Sequence, residues 1–106
     1  MSRLSELLDS GRFVVTAEIN PPKGVDIQDT ISKAEALRGV VDAINLTDQQ
    51  SAIMSVSPLA LAPLLMKRGL EVILQVACRD RNRIAIQGDL LGVAALGVRN
   101  VLCLTG

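Results

Sequence analysis

Apolar residues cluster in four short runs that recur at nearly equal intervals along the chain. The runs cover residues 13–18, 40–46, 70–76 and 98–104 and are rich in valine, isoleucine and leucine. They recur every 28 to 30 residues, which is the length of a strand, a crossover helix and two loops. Strands that are apolar on both faces suit a parallel sheet that is covered by helices. The pattern therefore predicts four parallel strands.

Helical patterns with recognisable ends fill the segments between these runs. Asp26 is placed to cap a helix that extends to about Leu37, and Gly39 follows it. Ser57 and Pro58 are typical of the first residues of a second helix, although Pro63 should kink it or delay its start. A third helix is predicted from residue 81 or 82 to 96, and a shorter one covers residues 4–10.

The predicted order is α, β, α, β, α, β, α, β, with right-handed crossovers. A doubly wound α/β sheet and the first half of a (β/α)8 TIM barrel both begin in this way. A barrel takes about 250 residues, so one domain of 106 residues supplies about the first four strands. Because the chain stops at Gly106, directly after the fourth strand, we expect an N-terminal half truncated at that point. As a complete chain it would have two open edge strands, which oligomerisation would cover.

Composition excludes several classes of function. The chain has 11 Lys and Arg against 11 Asp and Glu, so no net positive charge attracts nucleic acid or an anionic membrane. Histidine is absent and Phe13 is the one aromatic residue, which argues against imidazole catalysis, a metal site and base stacking. No signal peptide or membrane span is recognisable, and two cysteines without a CxxC pair favour reduced thiols. We therefore expect a cytoplasmic protein.

Polar residues collect where the predicted strands end, which is where α/β folds place their sites. Glu18 ends the first strand, beside the rigid pair Pro21-Pro22. A carboxyl group desolvated there would hold its proton near neutrality and serve in acid–base chemistry. The alternative is an ion pair between Glu18 and Lys23 or Arg81.

The other strand-end residues also allow two interpretations. Thr47 and Asp48 are suited to hydrogen-bonding a ligand or to capping their own loop. Gln75 places an amide in an apolar strand, where either a ligand or the backbone must satisfy it. The segment 79–83 brings three arginines to a helix start, which suits an anion or a solvated cap with internal Arg–Asp pairing.

Four motifs of the chain resemble one known family when they are taken together. They are TAEINPPKG at residues 16–24, DAINLTD at 42–48, CRDRNR at 78–83 and GVRNVLCLTG at 97–106. Their order and spacing are similar to the start of methylenetetrahydrofolate reductases. The CRDRN form is most similar to the branch of acetogenic bacteria and of fusions to homocysteine methyltransferases.

The resemblance implies a (β/α)8 barrel that carries FAD at the carboxyl ends of its strands. Such enzymes reduce 5,10-methylenetetrahydrofolate to 5-methyltetrahydrofolate by hydride transfer from reduced FAD, in one-carbon, methionine or acetyl-CoA metabolism. Glu18 matches the catalytic glutamate of the family, the acid that assists opening of the folate's imidazolidine ring. The electron donor would be NAD(P)H or a partner redox protein.

The resemblance also implies a set of FAD-binding residues. Thr47 matches a position near the flavin and its nicotinamide donor, and Asp48 and Gln50 lie in the adjoining loop. Gln75 stands where many relatives have a histidine. Thr105 and Gly106 match the start of a flavin-binding loop in which many relatives have arginine first.

Two further hypotheses remain beside the reductase. The chain would be a non-catalytic half-barrel that oligomerises or completes a barrel with another chain. A doubly wound ligand-binding domain unrelated to folate requires that all four motif matches are coincidences.

Overall fold

Strands and helices alternate along the whole described chain. The computed structural model describes residues 2–106, in the order α1 (Arg3–Asp9), β1 (Thr16–Ile19), α2 (Gln28–Ala36), β2 (Ala43–Leu46), α3 (Pro58–Met66), β3 (Val72–Ala77), α4 (Arg83–Ala95) and β4 (Val101–Leu104). Two short 3₁₀ turns, Gln50–Ala52 and Cys78–Asp80, follow β2 and β3. Within residues 2–106 no helix is long and apolar enough to cross a membrane.

All four predicted strands are present, but each begins two or three residues later than the apolar pattern indicates. Phe13 and Val40, which open two of the apolar runs, are 87% and 69% exposed. Both residues lie before the part of the strand that pairs with a neighbouring strand. Apolar character alone does not provide a neighbouring strand to hydrogen-bond with. The first residue of an apolar run therefore predicts a strand start that is too early.

The helices follow their predicted caps, with two corrections. The Asp26 carboxylate accepts a hydrogen bond from the Gln28 amide at 3.1 Å, but α2 begins only at Gln28. The Ser57 hydroxyl caps α3 by accepting from Leu59 N at 3.2 Å, and the helix continues through Pro63 to Met66. The predicted delay at Pro63 is therefore wrong. One proline removes only one intrahelical donor, and buried leucines on either side pack this helix on the sheet.

The four strands form one parallel sheet in the sequential order β1-β2-β3-β4. A doubly wound sheet reverses its strand order at a switch point, and these four strands show no reversal. Sequential parallel strands joined by helices are the arrangement of consecutive units in a (β/α)8 barrel. The fold is thus α/β and consistent with part of such a barrel.

One face of the sheet forms the hydrophobic core against α2, α3 and α4. Its buried residues belong to one cluster, which contains Ile19, Ile44, Leu46, Val72, Leu74 and Val76 from the strands and Ile31, Ala34, Leu61, Ala62, Leu65 and Val93 from the helices. The other face, which we call the free face, carries Glu18, Asn45, Gln75, Leu102 and Leu104, whose side chains alternate with those of the core. Among the described residues, the expected helical cover of the sheet is thus present on one face.

Helix α1 lies at the amino ends of the strands. Leu4 N donates to the Glu71 carboxylate at 2.6 Å, just before β3 begins. The Ser2 hydroxyl, which also caps α1, donates to Asn100 Oδ1 at 2.6 Å, just before β4. Helix α1 and its cap are therefore attached to the chain just before β3 and β4.

Candidate functional site

A cavity of about 250 Å³ lies at the carboxyl end of the sheet. Its lining includes six of the seven residues that the sequence assigns to the site: Glu18, Thr47, Asp48, Gln50, Gln75 and Gly106. Thr105, the seventh, is exposed and does not line the cavity. Residues from four separate strand ends are therefore brought together in one place.

Glu18 stands on the free face beside the amide of Gln75. Gln75 Nε2 donates to Glu18 Oε2 at 3.3 Å and to Asn45 Oδ1 at 3.4 Å. The Glu18 side chain is exposed, so the expected desolvation of its carboxyl group is not present in residues 2–106. The alternative ion pair is also wrong, because among these residues Arg81 pairs with Asp48 and Asp89, and Lys23 forms no ion pair with Glu18.

Gln75 is the buried polar residue of the free face, with 6% of its surface exposed. Both of its hydrogen bonds exceed the usual N–H···O distance of about 2.9–3.0 Å. Long bonds are weak, so little is lost when the amide turns to another partner. Gln75 therefore suits both holding Glu18 and binding a polar ligand.

Thr47 joins the end of β2 to the loop that follows β1. Its side chain is buried, and its hydroxyl donates to Asn20 Oδ1 at 2.8 Å. Its amide donates to Ile19 O at 3.2 Å. The hydroxyl therefore bonds the loop after β1 rather than capping its own loop, and its oxygen retains the capacity to accept a hydrogen bond.

Asp48 forms an ion pair at the base of the cavity. Its side chain is 1% exposed, and its Oδ2 accepts from Ala77 N at 2.8 Å and pairs with Arg81 Nη1. Arg81 Nη2 donates to the second oxygen, Oδ1, at 3.2 Å. The hydrogen bond to Asp48 raises the pKa of Arg81, against the opposing effect of burial. Both carboxylate oxygens of Asp48 are therefore engaged within the protein.

The segment that follows Asp48 has an unusual backbone. Gln49, Ser51 and Ala52 have positive φ angles of 50°, 58° and 57°, although none is glycine. Such conformations cost of the order of 1–3 kcal/mol each and persist where the surroundings enforce them. Here the Gln49 side-chain amide donates to Ser55 O at 3.1 Å and accepts from Ser55 N at 2.9 Å. Nothing in the amino-acid pattern indicated this conformation, because the segment contains no glycine.

Arg79 lines the cavity, although it was not among the site residues predicted from the sequence. Its Nη2 donates to Gln49 O at 3.2 Å and to Asp80 Oδ2 at 2.7 Å. The same hydrogen bond to Arg79 lowers the pKa of Asp80 and raises that of Arg79. A Cβ atom on Gly106 would lie 2.5 Å from Arg79 Cβ, so the two backbones are in close approach.

The arginine segment itself follows the simpler of its two interpretations in part. Asn82 Oδ1 accepts from Ala85 N at 2.9 Å and caps α4. Arg79 and Arg81 pair with aspartates, while Arg83 is exposed on the first turn of the helix. The predicted cap and one pair within the segment, Arg79–Asp80, are present, whereas Arg81 is mostly buried and pairs with Asp48 and Asp89 outside the segment.

Comparison with protein families matches residues 3–106 to the model of methylenetetrahydrofolate reductase. The chain belongs to the methylenetetrahydrofolate reductase family. This confirms the family that the four motifs resemble, which is a family of folate-related oxidoreductases. A comparison with individually curated proteins found no match. In this family member, the sheet's carboxyl end holds Glu18, Gln75 and the loop around Asp48 in a single cavity.

Proposed function

We propose that the protein is a flavin-dependent reductase that converts 5,10-methylenetetrahydrofolate into 5-methyltetrahydrofolate. The observation that carries the proposal is the contact between Glu18 and Gln75 at the strand-end cavity of a chain matched to this family over residues 3–106. A carboxyl group and an adjustable amide at that place supply an acid and a means of orienting it. FAD and a folate are the proposed ligands.

The proposed enzyme is a (β/α)8 barrel of which this chain forms the N-terminal part as one domain. The sequential strand order and the helical cover on a single face support this proposal. In a closed barrel the uncovered face points inward, towards the other strands. Glu18 and Gln75 would then lie at the mouth of the barrel.

The cavity residues fit a flat ligand with polar edges. The amides of Gln50 and Gln75 offer both donors and acceptors, Thr47 offers an acceptor, and the absence of a side chain at Gly106 admits close approach. Bound there, reduced FAD supplies the hydride. Asp48 would contribute through its backbone, because its carboxylate is already engaged, and Thr105 would contact the ligand from beside Gly106.

Glu18 is the proposed general acid. Opening of the folate's five-membered ring breaks a bond between carbon and nitrogen, and the departing nitrogen needs a proton. In the protonated state, the Glu18 carboxyl group donates that proton as the bond breaks. Gln75 Nε2, 3.3 Å from Glu18 Oε2, would keep this oxygen oriented towards the reacting nitrogen. The one-carbon unit, now electron-poor, accepts the hydride.

Substitution of Glu18 by glutamine tests this role in the full-length protein. Glutamine keeps the shape of the side chain but removes the acid, so FAD binding should persist while folate reduction falls about 10²–10⁴-fold. The measurements are FAD titration by fluorescence and steady-state folate turnover. Glu6→Gln, an exposed change on α1 at the opposite end of the sheet, is the control and should leave both unchanged. Undiminished turnover in Glu18→Gln would refute the acid role.

The proposed location, metabolic pathway and electron donor of the enzyme follow from the same family resemblance. We propose cytoplasmic one-carbon metabolism, in the branch of acetogenic bacteria and homocysteine methyltransferase fusions, in methionine or acetyl-CoA pathways. The reducing equivalents would come from NAD(P)H or from a partner redox protein, and the enzyme would be an oligomer. Assay of the purified protein with each donor distinguishes these sources.

A second candidate function is a non-catalytic half-barrel that assembles with another chain. The observation that favours it is the apolar surface of β4, where Val101, Leu102 and Leu104 are 40%, 42% and 39% exposed. Exposed apolar residues on an edge strand favour association. FAD titration separates the two: binding by the full-length protein supports the reductase, and association without FAD binding supports the module.

A further inference from the structure

One ion pair uses both backbone polar groups of Ala77, the last residue of β3. The Asp48 carboxylate accepts from Ala77 N at 2.8 Å, and Arg81 Nη1 donates to Ala77 O at 3.0 Å. Arg81 also binds both oxygens of Asp48 and, through Nε, Oδ2 of Asp89 at 3.2 Å. The pair therefore connects three elements: the loop after β2, the end of β3 and helix α4.

Stability alone is a weak reason for such a pair. The side chains of Asp48 and Arg81 are 1% and 16% exposed, so both charges have lost most of their hydration. Attraction between buried charges often only offsets that loss, and apolar replacements of similar volume are frequently as stable. The bidentate geometry, in contrast, fixes position and orientation closely.

The segment that the pair holds is the strained wall of the cavity. Asp48 directly precedes Gln49, the first of the three residues with positive φ. Gln50 and Ser51, which line the cavity with Glu18 and Gln75, come immediately afterwards. The left-handed backbone of Gln49, Ser51 and Ala52 needs fixed attachments at both ends of the segment. Ser55 provides one attachment through Gln49, and Asp48 provides the other.

We propose that Arg81 is a positioning residue that acts through Asp48 to hold residues 49–52 in the conformation needed for the reaction. The expected effect on catalysis rests on the proposed reductase function. The expected effect on the conformation of residues 49–52 does not. Arg81 does not line the cavity, so its effect is transmitted by Asp48 rather than by contact with a ligand. Without the pair, the segment would leave its left-handed conformation and the cavity wall would move.

The test compares Arg81→Met, Arg81→Lys and the double variant Asp48→Asn/Arg81→Met with the unchanged full-length protein. Arg81→Met leaves a buried carboxylate unpaired and is the variant most at risk of misfolding. The double variant removes both charges, and the asparagine oxygen still accepts from Ala77 N. It therefore leaves no unpaired buried charge and provides a folded variant for the test if Arg81→Met misfolds. Arg83→Met is the matched control, because Arg83 is exposed and forms no ion pair within residues 2–106.

Hydrogen exchange is the first readout, since it is independent of activity. The amides of Ala52, Ile53 and Ser55 are bonded to Gln49 and Gln50 and report the conformation of the segment. Their exchange should become about tenfold faster in the folded double variant, corresponding to about 1.4 kcal/mol of local opening free energy, and remain unchanged in Arg83→Met. Unchanged exchange in the double variant would overturn the proposal.

The second readout is the division of the kinetic effect between kcat and KM at saturating FAD. Loss of positioning should lower kcat about 10- to 100-fold in the double variant with a smaller change in the folate KM. Arg81→Lys keeps the charge but not the planar fork, so its kcat should be only partly restored. Full kcat in a double variant with faster exchange, or full rescue by lysine, contradicts positioning.

If the unchanged protein lacks FAD binding and turnover, the proposed function fails, and hydrogen exchange alone decides whether the pair holds the segment.

Discussion

At the scale of single residues, the site depends on close approaches that admit little variation. Gly106 has a φ of +95°, and its Cα faces the backbone and side chain of Arg79. Arg79 in turn donates to the carbonyl of Gln49, which belongs to the strained segment of the cavity wall. A displacement at Gly106 would therefore reach the segment through a single intervening side chain.

Replacement of Gly106 by alanine should disturb the proposed FAD site. The new Cβ would lie 2.5 Å from Arg79 Cβ and would occupy a backbone conformation unfavourable for alanine. We expect FAD to bind about tenfold more weakly, equivalent to about 1.4 kcal/mol, in a fluorescence titration of the full-length protein. Gly24→Ala is the control, since no atom lies within 4 Å of its added Cβ. Equal affinities of the two variants would contradict the argument.

At the scale of elements, local sequence signals predicted the caps of α3 and α4. Contacts between distant parts of the chain determined the arrangement of the site. Ser57 and Asn82 cap α3 and α4 as their residue types indicate, because a cap involves neighbours two or three positions away. The strand-end position of Glu18, Thr47 and Gln75 followed from the parallel sheet. The Asp48–Arg81 pair joins residues 33 positions apart, and no local pattern predicts such a contact.

The positive φ angles of the cavity segment were unpredictable for a related reason. Glycine is the usual signal of a left-handed backbone, and residues 49–52 contain none. The conformation is enforced by bonds from Ser55, Arg79 and Ala77. Its cause lies in other elements and not in the segment's own residue types.

The cap of α4 provides a test at the scale of one element. Asn82→Ala removes the oxygen that accepts from Ala85 N and should lower the free energy of unfolding by about 1 kcal/mol. Urea denaturation measures the change. Asn82→Asp keeps a capping oxygen and should be close to the unchanged protein. A loss as large in the aspartate variant as in the alanine variant would show that capping is not the cause.

At the scale of the whole molecule, a sheet covered on one face leaves apolar surface without cover in residues 2–106. Leu102 and Leu104 lie on the free face of β4, at one edge of the sheet, and β1 forms the other edge. Uncovered strands with apolar side chains associate with one another. The separately expressed segment 1–106 should therefore self-associate.

Sedimentation velocity over a range of concentrations tests this expectation. The segment 1–106 should show an increasing mean sedimentation coefficient with concentration. Leu102→Lys/Leu104→Lys should weaken the association, because charged side chains on an edge strand oppose pairing. Leu8→Lys changes an exposed leucine on α1 and should have little effect. Association that is insensitive to the β4 substitutions would place the contact on another surface.

The sequential strand order has a consequence for how the chain acquires its structure during synthesis. Partners in neighbouring strands are only 27 or 28 residues apart, as between Thr16 and Ala43 or between Ile44 and Val72. The loop that must close for each new pairing is therefore short and nearly constant, and its entropic cost does not increase along the chain. Each strand emerging from the ribosome finds its partner already exposed at the growing edge. Nascent chains of increasing length should gain protease resistance in steps, one strand–helix unit at a time.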